Sequence, residues 1–247
     1  MIFYYGLTDR SGAFTFENII SITTAEHSKA LILSLFLSLI STVICLLLGY
    51  PLAMVLTKIG RNSHSLIVFI FILPMWMNFL LRTLAWQTLL EKTGVINNIL
   101  NILGLPSLNI INTSYAIVLG MVYNFLPFMV LPLYNSLTKI DTNVINAAHD
   151  LGANDVTTFI KITLPLSVPG IISGVTMVFI PALTTFVISN LLGGSKILLI
   201  GNVIEQQFTQ ASNWNLGSGL SIVLMLFIVV NMIITAVFDK DGEGTML

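Results

Sequence analysis

Few side chains in this 247-residue chain could do chemistry, and several of them fall in one stretch, NAAHDLGANDVTTFIKITLP, residues 146–165. His149, Asp150, Asp155 and Lys161 lie there, between two long apolar runs. They form no catalytic constellation. The chain contains no HExxH, no GxSxG and no GxxxxGK[ST] sequence, so zinc-assisted hydrolysis, serine acyl transfer and a phosphate loop all lack their signatures. GGSK (193–196) has glycines beside a lysine but not the phosphate-loop spacing. The other histidines, His27 and His64, are scattered, and Cys45 is the single cysteine. Neither a metal-ligand set nor an internal disulfide is expected. The segment therefore reads as a contact element, and no catalytic residue, metal or resident cofactor is expected.

The elements around it must be membrane helices. The chain is 55% hydrophobic and 9% charged, against roughly 25% charged for a soluble domain. Its net charge of −1 suggests no nucleic-acid partner. A bilayer core takes about 20 apolar helical residues, and five stretches qualify: 30–57, 65–81, 114–134, 169–192 and 218–238. The second is short and contains Pro74. No ten-residue alternation of a β-barrel is present, and lipid leaves the backbone few other solutions than helices. Lys58 and Arg61 sit in the short turn after the first span. The positive-inside rule then places that turn, the 135–168 insert and the 239–247 tail in the cytoplasm, with residues 1–28 outside. Pro51, Pro74, Pro127, Pro132 and Pro181 interrupt the apolar runs and predict bent helices. GIISG (170–174) permits close helix contact.

Within the insert, Val144 to Leu151 can form a short helix that Gly152 stops, with a positive φ that other residues resist. Asn154 or Asp155 can cap a second helix through Lys161. Pro165 is expected to end it, and Pro169 to open the next span. From position 146 the chain reads Asn-Ala-Ala, three residues, Gly152, nine residues, Ile162, one residue, Leu164-Pro165. This resembles the EAA loop of binding-protein-dependent ABC importer permeases, with Asn146 in place of the usual Glu. LPFMVLPLYNSLTKID (126–141), LPLSVPGIISG (164–174), LGYPLA (48–53) and LPMWMNFLLRTLAW (73–86) extend the resemblance. SNLLGG (189–194) and LIGNVIEQQF (199–208) make it most similar to the B-type permease subunits of spermidine/putrescine importers.

The resemblance implies an all-α, type I (MetI-like) permease bundle spanning residues 29–240 in a bacterial inner membrane. It implies a homologous C-type permease, two copies of an ABC ATPase that uses ATP and Mg, and a periplasmic or extracellular polyamine-binding protein as partners, besides lipid. The ATPase-coupling residues it implies are Asn146, Ala147, Ala148, Asp150, Leu151, Gly152, Ile162, Leu164 and Pro165. Such permeases usually have six spans, so the resemblance implies that the family's first helix is missing from the five found here.

A polyamine carries at least two ammonium groups, and its path calls for carboxylates or aromatic faces. The residues expected along that path are Trp76, Asn78, Trp86, Tyr123, Phe125, Asn190, Asn202 and Glu205. Packing, or a place in an interfacial belt, is the competing role for each aromatic. Glu205 is a lone acid among apolar neighbours. No Asp or Glu occurs within the five spans, which disfavours an ion-coupled carrier and suits a path that passes substrate from a separate binding protein. A permease for another small solute is the first alternative, and an ion-coupled secondary transporter the lesser one.

Overall fold

The computed structural model describes residues 1–58, 73–194 and 196–243. Among these, regular structure is helical. Short α1 (Ile2–Gly6) and α2 (Glu17–Ile20) precede the long α3 (Ala25–Lys58). Then come α4 (Phe79–Leu90), α5 (Val95–Ile102), α6 (Ser114–Thr138), α7 (Thr142–Asp150) and α8 (Asp155–Thr158). The last four are α9 (Val168–Thr184), α10 (Val187–Leu192), α11 (Ile200–Thr209) and α12 (Trp214–Glu243). Among the described residues, three helices are long and apolar enough to cross a membrane: Ala25–Lys58, Ser114–Thr138 and Trp214–Ile233. Asp155–Leu166 and Val168–Thr184 qualify together as one span bent by 63°. The span expected over 65–81 falls largely outside the described residues. Its described part is a 3-10 turn, Leu73–Trp76, followed by the start of α4.

The contacts divide the chain into two compact units. The first joins residues 1–41, 77–124 and 179–230. Its core gathers Leu31, Leu183, Ile200 and Leu224, with Ala30, Val203 and Leu220 in an adjoining cluster. Ser34 returns its hydroxyl to the Ala30 carbonyl at 2.8 Å and also accepts the Ile200 N–H at 2.8 Å, which ties the start of α11 to α3. The N-terminal segment folds onto the beginning of α12. There the Asn215 amide donates to the Thr8 and Tyr5 carbonyls at 2.7 and 3.1 Å, and Asn18 donates to Thr8 at 2.9 Å.

The single span expected over 169–192 is instead two helices, broken between Thr184 and Val187. Pro181 removes a backbone donor in the last turn of α9, and the break survives because α11 supplies side-chain partners to it, as described below.

The second unit joins the described parts of 42–76 with 125–178 and 231–243. Here α6 and α9 pack closely at GIISG. A Cβ at Gly170 would land 2.9 Å from the Pro132 carbonyl, and one at Gly174 would land 2.7 Å from the Met129 sulfur. The small residues are what let these backbones approach.

Candidate functional site

The insert folds as an arm of the second unit. Asp141 caps α7, its carboxylate accepting the Asn143 N–H at 2.9 Å. At the other end the Gly152 N–H bonds the His149 carbonyl at 2.8 Å, and the Ala153 N–H bonds Ala148 at 3.0 Å. This pair of bonds is a Schellman stop, with Gly152 at φ +85°. No atom lies within 4 Å of the place a Gly152 Cβ would occupy, so the backbone angle, and not crowding, calls for glycine. Asn154 then caps α8, accepting from the Thr157 N–H at 2.8 Å. His149 braces the turn: its Nδ1 lies 3.0 Å from the Ala153 carbonyl and its Nε2 3.8 Å from Asp155.

Of the residues assigned to coupling, Ala148 is buried, Ile162 and Leu164 are half-buried, and Asn146, Ala147, Asp150, Leu151, Gly152 and Pro165 are exposed. Leu151 is 90% exposed, and Val156 and Ile160 are 65% and 55% exposed, apolar side chains that the described residues leave uncovered. A cleft of about 930 Å³ separates the arm from the ends of α3 and α6, lined by Lys58, Lys139, Asp141, His149 and Phe159 among others.

The helix after Asn154 does not end at Pro165. It runs on from α8 through a π turn, Phe159–Thr163, and a last α turn, Leu164–Leu166, before bending at Ser167. Proline lacks the N–H that a regular α turn would use, and the wider π turn directly before it takes up the mismatch. Ser167 serves the bend. Its N–H reaches Thr163 and Leu164 at 3.0 and 3.2 Å, and its hydroxyl reaches the Leu164 carbonyl at 2.9 Å. The same hydroxyl meets the Tyr50 OH from α3 at 2.7 Å, and the Tyr50 ring stands edge-on to Phe159, centroids 5.7 Å apart. Sequence reasoning did not select Tyr50 or Ser167. The available signal was a tyrosine directly before Pro51 in an apolar run.

The residues assigned to a substrate path scatter among several roles. Asn78 caps α4, accepting from the Leu80 and Leu81 N–H groups at 2.8 and 3.4 Å. Trp76 is 77% exposed, whereas Phe125 is buried, its ring centroid 6.4 Å from that of Phe128. Trp86 packs edge-on to Tyr123 at 5.2 Å, and the buried Arg82 guanidinium already covers the Tyr123 ring at 5.9 Å. The Tyr123 face thus meets a cation belonging to this chain.

Asn202 is fully buried, and its amide is spent on the break between α9 and α10. The Asn202 NH₂ donates to the Asn190 side-chain oxygen at 2.7 Å and to the Phe186 carbonyl at 3.1 Å. The Asn202 oxygen accepts the Leu199 N–H at 3.0 Å and the Ser189 hydroxyl. Two donors and two lone pairs are all matched, which makes Asn202 a structural knot in this conformation rather than a path-lining group.

One turn further along α11, Glu205 opens onto a pocket of about 400 Å³. Phe186, Phe208, Leu224, Met225 and Ile228 supply apolar walls, and Thr184, Thr209 and Ser221 add hydroxyls. The Glu205 carboxylate accepts the Thr209 hydroxyl at 3.1 Å.

Residues 31–241 match the model of a family described as binding-protein-dependent transport system inner membrane component. The spermidine/putrescine transport system permease protein PotB of Haemophilus influenzae is 40% identical over 218 residues, 87% of this chain and 76% of that protein. PotB of Escherichia coli strain K12 is 41% identical over 215 residues, 86% and 78% of the two chains. Among solved structures, a bacterial ABC transporter that imports the acidic polysaccharide alginate superposes with a TM-score of 0.76 at 18% identity, over 98% of this chain and 88% of that one. The MetNI methionine ABC transporter in an inward-facing form gives 0.60 at 20% identity, over 87% and 95%. The fold expected from the sequence, an all-α permease bundle of the MetI type, is the fold these structures share.

Proposed function

Because the chain belongs to the family of binding-protein-dependent transport system inner membrane components, we propose that it conducts polyamines, spermidine or putrescine, across the inner membrane. It is a permease subunit of an ABC importer. The observation that carries the substrate class is the 40% identity to a spermidine/putrescine permease, spread over 218 residues. In this reading a C-type permease completes the path, two ATPase subunits use ATP and Mg, and a polyamine-binding protein delivers the substrate.

The arm couples the chain to the ATPase. Its exposed Leu151, Val156 and Ile160 offer an apolar surface to a partner groove. The Schellman turn at Gly152 fixes α7 against α8, and the helix continuing from α8 leads directly into the bend at Ser167. A push on α7 then arrives at α9 with few soft joints between. Asn146 presents a neutral amide where the family pattern has a carboxylate, so any ion pair to the ATPase rests on Asp150 or Asp155, both exposed.

The test is uptake of labelled spermidine by cells expressing the whole importer, in competition with putrescine and amino acids. Inhibition by putrescine alone is expected. Inhibition by an amino acid, with none by either polyamine, would overturn the substrate class.

A further inference from the structure

We infer that the pocket at Glu205 is an alkylammonium site. It holds one protonated amine of the substrate on the Glu205 carboxylate and the adjoining methylenes against Phe186, Phe208 and Met225. This rests on the polyamine reading above and gives it a location.

The chemistry of the walls selects the ligand. A carboxylate among apolar side chains is costly unless a cation or a dense set of donors meets it. Among the described residues no cationic side chain pairs with Glu205, and its described partner is the Thr209 hydroxyl at 3.1 Å. A bare divalent ion would call for several more carboxylate or carbonyl oxygens converging on one point. A sugar would call for free donors along the walls, and the Thr184, Thr209 and Ser221 hydroxyls already donate to the Ile180 carbonyl, to Glu205 and to the Gly217 carbonyl. One carboxylate, two phenyl rings and aliphatic side chains suit a positive head on a short hydrocarbon stem, with ring faces adding cation–π attraction. The volume of about 400 Å³ lies within the ~300–1,000 Å³ of small-molecule sites.

The support is rigid. Glu205 follows the Asn202 knot on the same helix, and the helix start is tied to Ser34 through the Ile200 N–H. Phe208 is held in turn by Trp214, centroids 5.3 Å apart.

The experiment compares Glu205→Gln and Glu205→Asp in the complete importer, measuring initial uptake of labelled putrescine and spermidine at saturating loaded binding protein. Glutamine keeps the shape and the acceptor for Thr209 but removes the charge. Aspartate keeps the charge and shortens the reach. The pocket inference expects E205Q to lose about tenfold or more, the worth of one charge-assisted hydrogen bond, with E205D retaining most activity. The exposed Glu17→Gln serves as control and stays at wild-type rate. Normal uptake by E205Q, or a loss in E205D larger than in E205Q, overturns the pocket and leaves the polyamine reading standing. A wild-type importer that carries no polyamine overturns both. If E205Q fails to assemble, Met225→Trp decides, because it fills the pocket without touching the charge. Reduced polyamine uptake supports the site, and unchanged uptake overturns it.

Discussion

The arm at 142–166 and the short helix α11 are both polar interruptions of an apolar chain, and they are finished in opposite ways. In α11 every polar atom of Asn202 has a partner within the first unit, and residues 200–203 are buried. In the arm the starts of α7 and α8 are both capped, yet Leu151 is 90% exposed and Val156 65%. One element completes itself, whereas the other is well formed as backbone and unfinished as surface. A buried polar knot is expensive to break and specifies geometry. An ordered, uncovered apolar surface is costly to keep unless another surface covers it. The contrast fits the different jobs proposed for the two regions, holding a site still and receiving a partner.

The sharpest way to break the contrast is at the knot. Asn202→Ala strands the Leu199 N–H and the Asn190 side-chain oxygen, whereas the Phe186 carbonyl keeps its bonds from the Asn190 N–H and the Ser189 hydroxyl. The expected cost is about 2–4 kcal/mol. Thermal melting of the detergent-purified protein should fall by roughly 5–10 °C. Asn190→Ala removes one of those bonds and should cost less. Equal, negligible shifts for both would show that the knot does not hold the break.

The arm should respond differently, in coupling rather than in melting temperature. Gly152→Val forces a β-branched residue to φ +85°, at about 1–3 kcal/mol, with no steric clash to blame. Uptake should fall about tenfold or more while the melting temperature falls less than in Asn202→Ala, because the exposed turn can release part of the strain locally without disturbing the buried core. Gly152→Asn should retain more uptake than Gly152→Val, since asparagine tolerates the left-handed region. Wild-type uptake in Gly152→Val would remove the coupling role.

This asymmetry also explains what could be read from the sequence. The arm's backbone was legible because its instructions are local: an Asx cap at Asn154, a glycine at the helix stop, a fixed spacing to Pro165. The charge-free runs 30–57 and 114–134 lie within α3 and α6 for a similar reason. The knot was not legible. Asn190 and Asn202 read as polar groups available to a substrate, and their partnership depends on a helix break after Thr184 that Pro181 only hinted at. Asn78 looked like a path residue and is a cap. Tyr123 looked like an open aromatic face, and Arg82, one helix away, covers it. In each case the competing partner lies far off in sequence or in a turn whose geometry the local pattern does not state. Pro165 erred the other way: the local rule for proline was clear, and a π turn absorbed it.

The smallest predicted effect tests where the arm ends and the bundle begins. Tyr50 reaches Ser167 at 2.7 Å and packs on Phe159, so it touches both sides of the π turn. Tyr50→Phe removes the hydroxyl but keeps the ring, and Ser167 retains its bond to Leu164. The loss is that of one neutral hydrogen bond, about 1 kcal/mol. If the bend merely needs filling, polyamine taken up per ATP hydrolysed should not change. If Tyr50 fixes the angle at which the arm drives α9, that ratio should fall about twofold while assembly with the ATPase is kept, and Ser167→Ala should reproduce it. A double variant no worse than either single one would identify the pair as one coupled unit, and additive losses would assign the two residues to separate roles.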